Sequence, residues 1–249
     1  MAGHSQFKNI MYRKGAQDKK RARVFTRIIR ELTTAARQGV AEPSLNPRLR
    51  SAVLAARAAN VPKDTVERAI RRGGGGEAEE AYEEVRYEGY GPGGVAIIIE
   101  ALTDNRNRTA SELRAAFTKA GGALGETGSV GFLFEHVAEI VYPAAAASAE
   151  DMLEAVAEAG GSDLESDAEE HRITAIPEDL NAVRDALEER FGAASAARLV
   201  WRPKVAAPLD GEAAAPLFKL LEALEESDDV QNVFANFEVA EDVLARLGA

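Results

Sequence analysis

The chain has no cysteine, one tryptophan and three histidines among its 249 residues. Without thiols there is no disulfide framework and no thiolate metal site, which suits a reducing compartment. His4, His136 and His171 are too scattered for a zinc ligand set, and no H-E-x-x-H string occurs, so no metal is expected. Long apolar runs are missing as well: Val95 to Ile99 stops at Glu100, far short of a membrane span. Met1–Ile10 lacks the apolar core of a secretory signal, and the Arg-rich stretch after it lacks the serines of a transit peptide. A soluble cytoplasmic protein with no membrane contact is the expectation. No G-x-S-x-G nucleophile motif is present, and nothing in the sequence points to an enzyme.

What the chain does have is charge, divided steeply by position. Residues 1–72 hold 17 Lys/Arg against 5 Asp/Glu, and residues 73–249 hold 13 against 36, so a net charge of −11 conceals a module of +12. A basic module on an acidic protein is the footprint of a polyanion binder, because neutralised phosphates release condensed counterions. The acidic remainder repels the same polyanion, so one end of the molecule is expected to make the contact.

The cations are also placed. Phe25, Ile29, Leu32 and Ala36 recur at helical spacing and fall in one stripe, while Lys20, Arg23, Arg27 and Arg30 project to the opposite side. Such a ladder can track a nucleic-acid backbone; a solvated helix face is the alternative. Lys8, Arg13, Lys14, Lys19, Lys20, Arg23, Arg27, Arg30, Arg48 and Arg50 are the candidate nucleic-acid-binding residues.

The first 72 residues read as all helix, with Pro47 opening a second helix to about Ala59 and Pro62 opening a third. Gly73–Gly76, followed by Glu77, Glu79 and Glu80, reads as the end of that helix and a flexible domain boundary. Beyond it, Val85–Glu88, Val95–Leu102 and Val130–Phe134 read as strands and Arg108–Lys119 as a helix. From Ala138 to Trp201 the order is strand (Glu139–Tyr142), helix, strand, strand, helix, strand, the split βαβ arrangement of ferredoxin-like domains. A final helix (Glu212–Glu226) and strand (Val230–Phe237) are placed to complete the sheet begun at Val85. The expected fold is α+β: an N-terminal helical bundle and two ferredoxin-like α/β domains, the third inserted in the second. The expected domains are 1–76, 77–136 with 203–249, and 137–202.

Gly89-Tyr-Gly-Pro-Gly-Gly94 matches G-x-G-x-x-G as a string, but its glycines lead into a strand and not into a helix N-terminus. A tight turn is the better reading, and no cofactor is expected. In Asp104-Asn-Arg-Asn-Arg-Thr109 two arginines stand at a predicted helix start, where Thr109 and Glu112 have capping-box spacing. Arg106 and Arg108 are therefore candidates for a second anion or RNA contact, or else partners of their own domain's carboxylates. Gly121–Ser129 reads as a glycine-rich connection, and the acidic runs 163–170 and 222–229 as solvated faces.

Several long stretches resemble one known family. They are Ala2-Gly-His-Ser5 through Arg13-Lys14 and Gln17-Asp18; Asn46-Pro-Arg-Leu-Arg50; Pro62-Lys-Asp64 with Glu67-Arg-Ala-Ile70; Tyr87–Gly94; Thr103–Thr109; Gly125–Val130; and Asp228–Val233. Together they are similar to the YebC/PmpR family, many members of which carry Lys-Trp where this chain has Gln6-Phe7. Val137–Trp201 and the tail after Phe237 match least, and nothing is carried over there. The resemblance implies a helical domain and two α/β domains, the third inserted in the second. It also implies two competing functions. One is a DNA-binding transcriptional regulator. The other is a translation factor at the ribosome, as for a mitochondrial translational activator and for bacterial relatives that relieve stalling on proline-rich chains. Either would act on nucleic acid, DNA or ribosomal or transfer RNA, and a monomer is expected.

Overall fold

The computed structural model describes residues 17–75, 82–209 and 211–239. Three helices come first: α1 (Gln17–Gln38), α2 (Pro47–Ala58) and α3 (Lys63–Gly74). Then follow β1 (Glu83–Tyr90), β2 (Ala96–Thr103), α4 (Arg106–Lys119), β3 (Ala123–Leu124), β4 (Phe134–Pro143), α5 (Ala149–Ala159), β5 (Asp163–Ser166) and β6 (Glu170–Ala175). The chain continues through α6 (Leu180–Phe191), β7 (Ala196–Pro203), β8 (Ala207–Leu209), α7 (Gly211–Glu226), β9 (Val230–Ala235) and β10 (Phe237–Val239). The architecture is α+β, helices followed by two four-stranded antiparallel sheets, with the ferredoxin-like segment inserted between the two stretches that build the first sheet.

The chain divides into two compact units. One comprises residues 1–30, 78–135 and 202–249, and its sheet has the order β3-β1-β2-β9. Helix α4 carries the chain from β2 to β3 with β1 between them, so the split βαβ arrangement is kept although the domain is entered through a hairpin. Strand β2 is the axis. Ala96, Ile97, Ile98 and Ile99 are fully buried, as a β-branched run covered on both faces requires. Ile97 and Ile99 pack with Leu113 and Phe117 of α4 and with Leu217, Leu220, Leu221 and Leu224 of α7. The Gly89–Gly94 segment turns β1 into β2, with Gly93 and Gly94 both at φ 71°, a left-handed conformation that side chains rarely tolerate.

The other unit comprises residues 31–77 and 136–201. Its sheet order β5-β6-β4-β7, all neighbouring pairs of known register antiparallel, is the ferredoxin-like topology expected from the element order. Ile140 and Tyr142 of β4, Ile173 of β6, Met152 and Val156 of α5, and Val183 and Leu187 of α6 form its core. In the helical stretch, Leu32, Leu49 and Ala56 are fully buried. Asn46 caps α2 by accepting from Leu49 N at 3.0 Å, and its amide donates to the carbonyls of Ala35 (2.8 Å) and Val40 (2.9 Å).

Three local expectations are corrected. Gly73 and Gly74 do not form a boundary loop: α3 runs through them, and Gly73 is buried. A Cβ at Gly73 would stand 2.3 Å from the Thr33 carbonyl oxygen and 2.7 Å from the Ala36 Cβ, so this glycine lets α3 pack directly on α1. Val130–Phe134 is not a strand. Gly131–Leu133 is a 3₁₀ turn, and one strand runs from Phe134 to Pro143, absorbing the separate strand expected at Glu139–Tyr142. Helix α4 begins at Arg106, capped by Asn105, and Thr109 is buried within it.

Candidate nucleic-acid interface

Lys8, Arg13 and Lys14 lie outside the described residues, as do the side chains of Lys19 and Lys20. The remaining ladder positions of α1 do not stand on an open face. Arg23 pairs with Glu226 (3.1 Å), and Arg27 donates to the Glu225 carbonyl. Arg30 Nη1 donates to the Asp228 carbonyl and to Asp229 Oδ1, both at 2.7 Å, and its guanidinium lies 5.0 Å from the Tyr82 ring centroid. The acidic segment 225–229, expected as a solvated face, thus receives three of the ladder's cations.

Asp229 is the centre of this arrangement. Its side chain is only 5% exposed, and it accepts from Arg30, from Arg108 Nη2 (2.7 Å), from Thr109 Oγ1 (2.7 Å) and from Thr103 Oγ1 (3.2 Å). Burial alone would raise its pKa, but hydrogen bonds from Arg108, Thr109 and Arg30 outweigh that and hold it down at about 2. Arg108 also pairs with Asp104 (2.7 Å), and these bonds, the one to Asp229 foremost, raise its own pKa. Arg106 is 66% exposed, with Glu83 3.9 Å away. Both arginines of the predicted helix start therefore face carboxylates of their own unit.

A second buried carboxylate explains the glycine-rich connection. Glu88, 1% exposed, accepts from Val130 N and Gly131 N, each at 2.8 Å, while its carbonyl accepts from Gly125 N (2.8 Å). Burial raises its pKa, but the backbone donors of Val130, Gly128 and Gly131 and the charge of Arg86 bring it below the usual value. The loop is folded around that carboxylate.

In the other unit, Arg48 makes a two-pronged pair with Glu31 (2.6 and 3.0 Å) and donates to Gln38. Arg50 reaches Asp185 (3.3 Å) and the carbonyls of Pro43 and Ser44, and Asp185 also accepts from the buried Arg184 at 2.7 Å. In the helical stretch of this unit the exposed cations are Arg57, Lys63, Arg68, Arg71 and Arg72, none of them among the candidate residues. A signal was available. Val66 and Ile70 mark the inner face of α3, and Arg68, Arg71 and Arg72 fall opposite them at i, i+3 and i+4 spacing.

Among the described residues no group of three or more His, Asp or Glu is placed to hold a metal ion, and no helix is long and apolar enough to cross a membrane.

Residues 5–76 match the model of the TACO1/YebC protein N-terminal domain, and residues 82–237 match that of the TACO1/YebC second and third domain. The crystal structure of a conserved hypothetical protein from Aquifex aeolicus is similar at 46% identity, with a TM-score of 0.82 over 89% of this chain and 92% of that one.

Proposed function

We propose, from the premise that the chain belongs to the TACO1/YebC family, that it is a nucleic-acid-binding regulator of gene expression. It acts by binding and not by catalysis, through phosphate contacts made by its N-terminal helical stretch. The observation that carries this is the charge division, +12 on residues 1–72 against −23 on the rest. Two versions follow from the same physics: a DNA-binding transcriptional regulator, or a translation factor held on RNA at the ribosome. The composition of α2 and α3 favours RNA. Neither contains Asn or Gln, the side chains that read adenine in a major groove, and their arginines suit phosphates as well as guanine edges. Their charged residues suit recognition of backbone shape, by which folded RNA is commonly held.

The test is fluorescence anisotropy of the full chain with an RNA duplex and a DNA duplex of one sequence, over a range of KCl, beside sedimentation of lysate on a sucrose gradient. Binding that weakens as a power of salt, with the protein travelling among ribosomal particles, is expected. A chain that binds neither duplex at low salt and stays at the top of the gradient would refute the proposal.

A further inference from the structure

We infer that the sugar–phosphate backbone of a nucleic-acid duplex is gripped by a ridge on α3 made of Arg68, Arg71 and Arg72, and not by Arg27 and Arg30 of the α1 ladder. This rests on the nucleic-acid reading above and names its contact surface.

Arg27 and Arg30 are half-buried, and their guanidiniums are spent on the carbonyls of Glu225 and Asp228 and on the Asp229 carboxylate. A phosphate reaching them must first break a charge pair that is largely shielded from water, which costs more than an exposed contact returns. Helix α3 presents the opposite case. Its inner face is Ala69 and Gly73, fully packed, with Val66 and Ile70 half-buried beside them. At 100° per residue, Arg68, Arg71 and Arg72 fall on the far side, and all three are exposed.

The described carboxylates near the ridge, Asp64, Glu67 and Glu42, are all exposed, and the last two line one pocket with Arg71. Arg68 pairs with Asp64 at 3.3 Å, but both side chains are about 70% exposed, so the pair is readily exchanged for a phosphate. Glu67 lies toward Lys63 at 3.7 Å. Arg71 and Arg72 form no ion pair or hydrogen bond with any described side chain. Cations in a last helical turn also complement the helix dipole, and that would account for Arg71 and Arg72. It does not account for Arg68, which stands a turn earlier.

The support is rigid. With Gly73 seated against the Thr33 carbonyl, α3 is fixed to α1, and the three guanidiniums are held on a regular element and not on a loop. Neighbouring cations about 5–6 Å apart along one face match a chain of phosphates better than they match an isolated anion. Such a surface binds by charge and spacing and reads no bases.

Two variants of the full chain separate the ridge from the ladder. One carries Arg68→Glu, Arg71→Glu and Arg72→Glu, with the milder Arg→Gln set at the same positions in reserve. The other carries Arg27→Ala and Arg30→Ala. Each is measured by anisotropy against the RNA and DNA duplexes over a KCl series, and by thermal melting. The ridge variant should melt as the unmodified chain does and bind at least about tenfold more weakly, its salt slope smaller by roughly 2–3 for three lost phosphate contacts. The ladder variant should melt lower and, while folded, bind with unchanged affinity and slope. Whichever duplex the unmodified chain holds more tightly identifies the source of the backbone. A folded ridge variant with full affinity and slope overturns the inference while leaving the nucleic-acid reading intact. An unmodified chain that binds neither duplex overturns that reading and this inference together.

Discussion

Asp229→Asn tests the account of the buried hub, because it keeps the side chain's shape while removing its charge and turning one of its two accepting oxygens into a donor. Arg30 and Arg108 each lose a carboxylate partner at 2.7 Å, at a side chain that is 5% exposed. Deleting one member of a buried pair costs about 3–5 kcal/mol, and the lower end applies here because Arg108 can turn to water. Titration gives a second route to the magnitude. The carboxyl pKa is held at about 2 against 3.8 for the free group, which corresponds to roughly 2–3 kcal/mol. The sign is fixed by the direction of the shift. A pKa lowered by folding contributes its full stabilisation above pH 4 and loses it as the pH falls toward 2. Wild type should therefore exceed Asp229→Asn by about 2–3 kcal/mol at pH 6, or about 5–10 °C in melting temperature. That gap should narrow below pH 4 and fall to a small remainder at pH 2, where the folded-state carboxyl is about half protonated. Urea unfolding by circular dichroism across this range measures it, with exchange of the Leu102 amide, which donates to the Asp229 carbonyl at 2.8 Å, as the local probe. Trp201 lies in the other unit, so its fluorescence serves as a control. Equal stability at pH 6, or a gap that acid does not narrow, would refute the reasoning.

Two further substitutions bear on the corrected parts of the fold. Gly73→Ala should lower stability by about 1–3 kcal/mol in a thermal melt, because a Cβ 2.3 Å from the Thr33 carbonyl oxygen forces the helices apart. The gain in helix propensity, about 1 kcal/mol, works the other way, so a stabilised variant would show that the two helices are not in close contact. Glu88→Gln should free the loop that the carboxylate gathers, speeding amide exchange at Val130 and Gly131 at least tenfold; unchanged protection there would count against the carboxylate as the anchor.

The elements were legible where the determinants were local. Pro47, the inner face of Val66 and Ile70, and the run Val95–Ile99 were sufficient to place α2, α3 and β2. The misreadings share one cause. Val130–Phe134 has strand composition, yet Glu88, some forty residues earlier, draws the amides of Val130 and Gly131 into a 3₁₀ turn. Thr109 has capping-box spacing, but Asp229, 120 residues later, takes its hydroxyl into the interior and leaves Asn105 to cap the helix. The cation ladder of α1 was equally visible as a pattern, and its partners were equally invisible, because nothing in residues 23–30 announces carboxylates and carbonyls near position 229. Periodicity identifies which side chains share a face. It does not identify what that face meets.

The hub at Asp229 also sets an order of events during synthesis. Arg30 leaves the ribosome 199 residues before the carboxylate it pairs with, and β2 waits about 130 residues for its neighbour β9. The ferredoxin-like stretch from 136 to 201 is contiguous, brings its own core, and needs nothing downstream. Domains of that kind fold as they emerge, whereas pairings that close very long loops are slow. A nascent chain would thus carry a finished inserted domain beside an unfinished first sheet, with the isoleucines of β2 uncovered until α7 and β9 arrive. Truncation ahead of residue 211 should strand it in that state, folded in the middle and open to aggregation at both flanks.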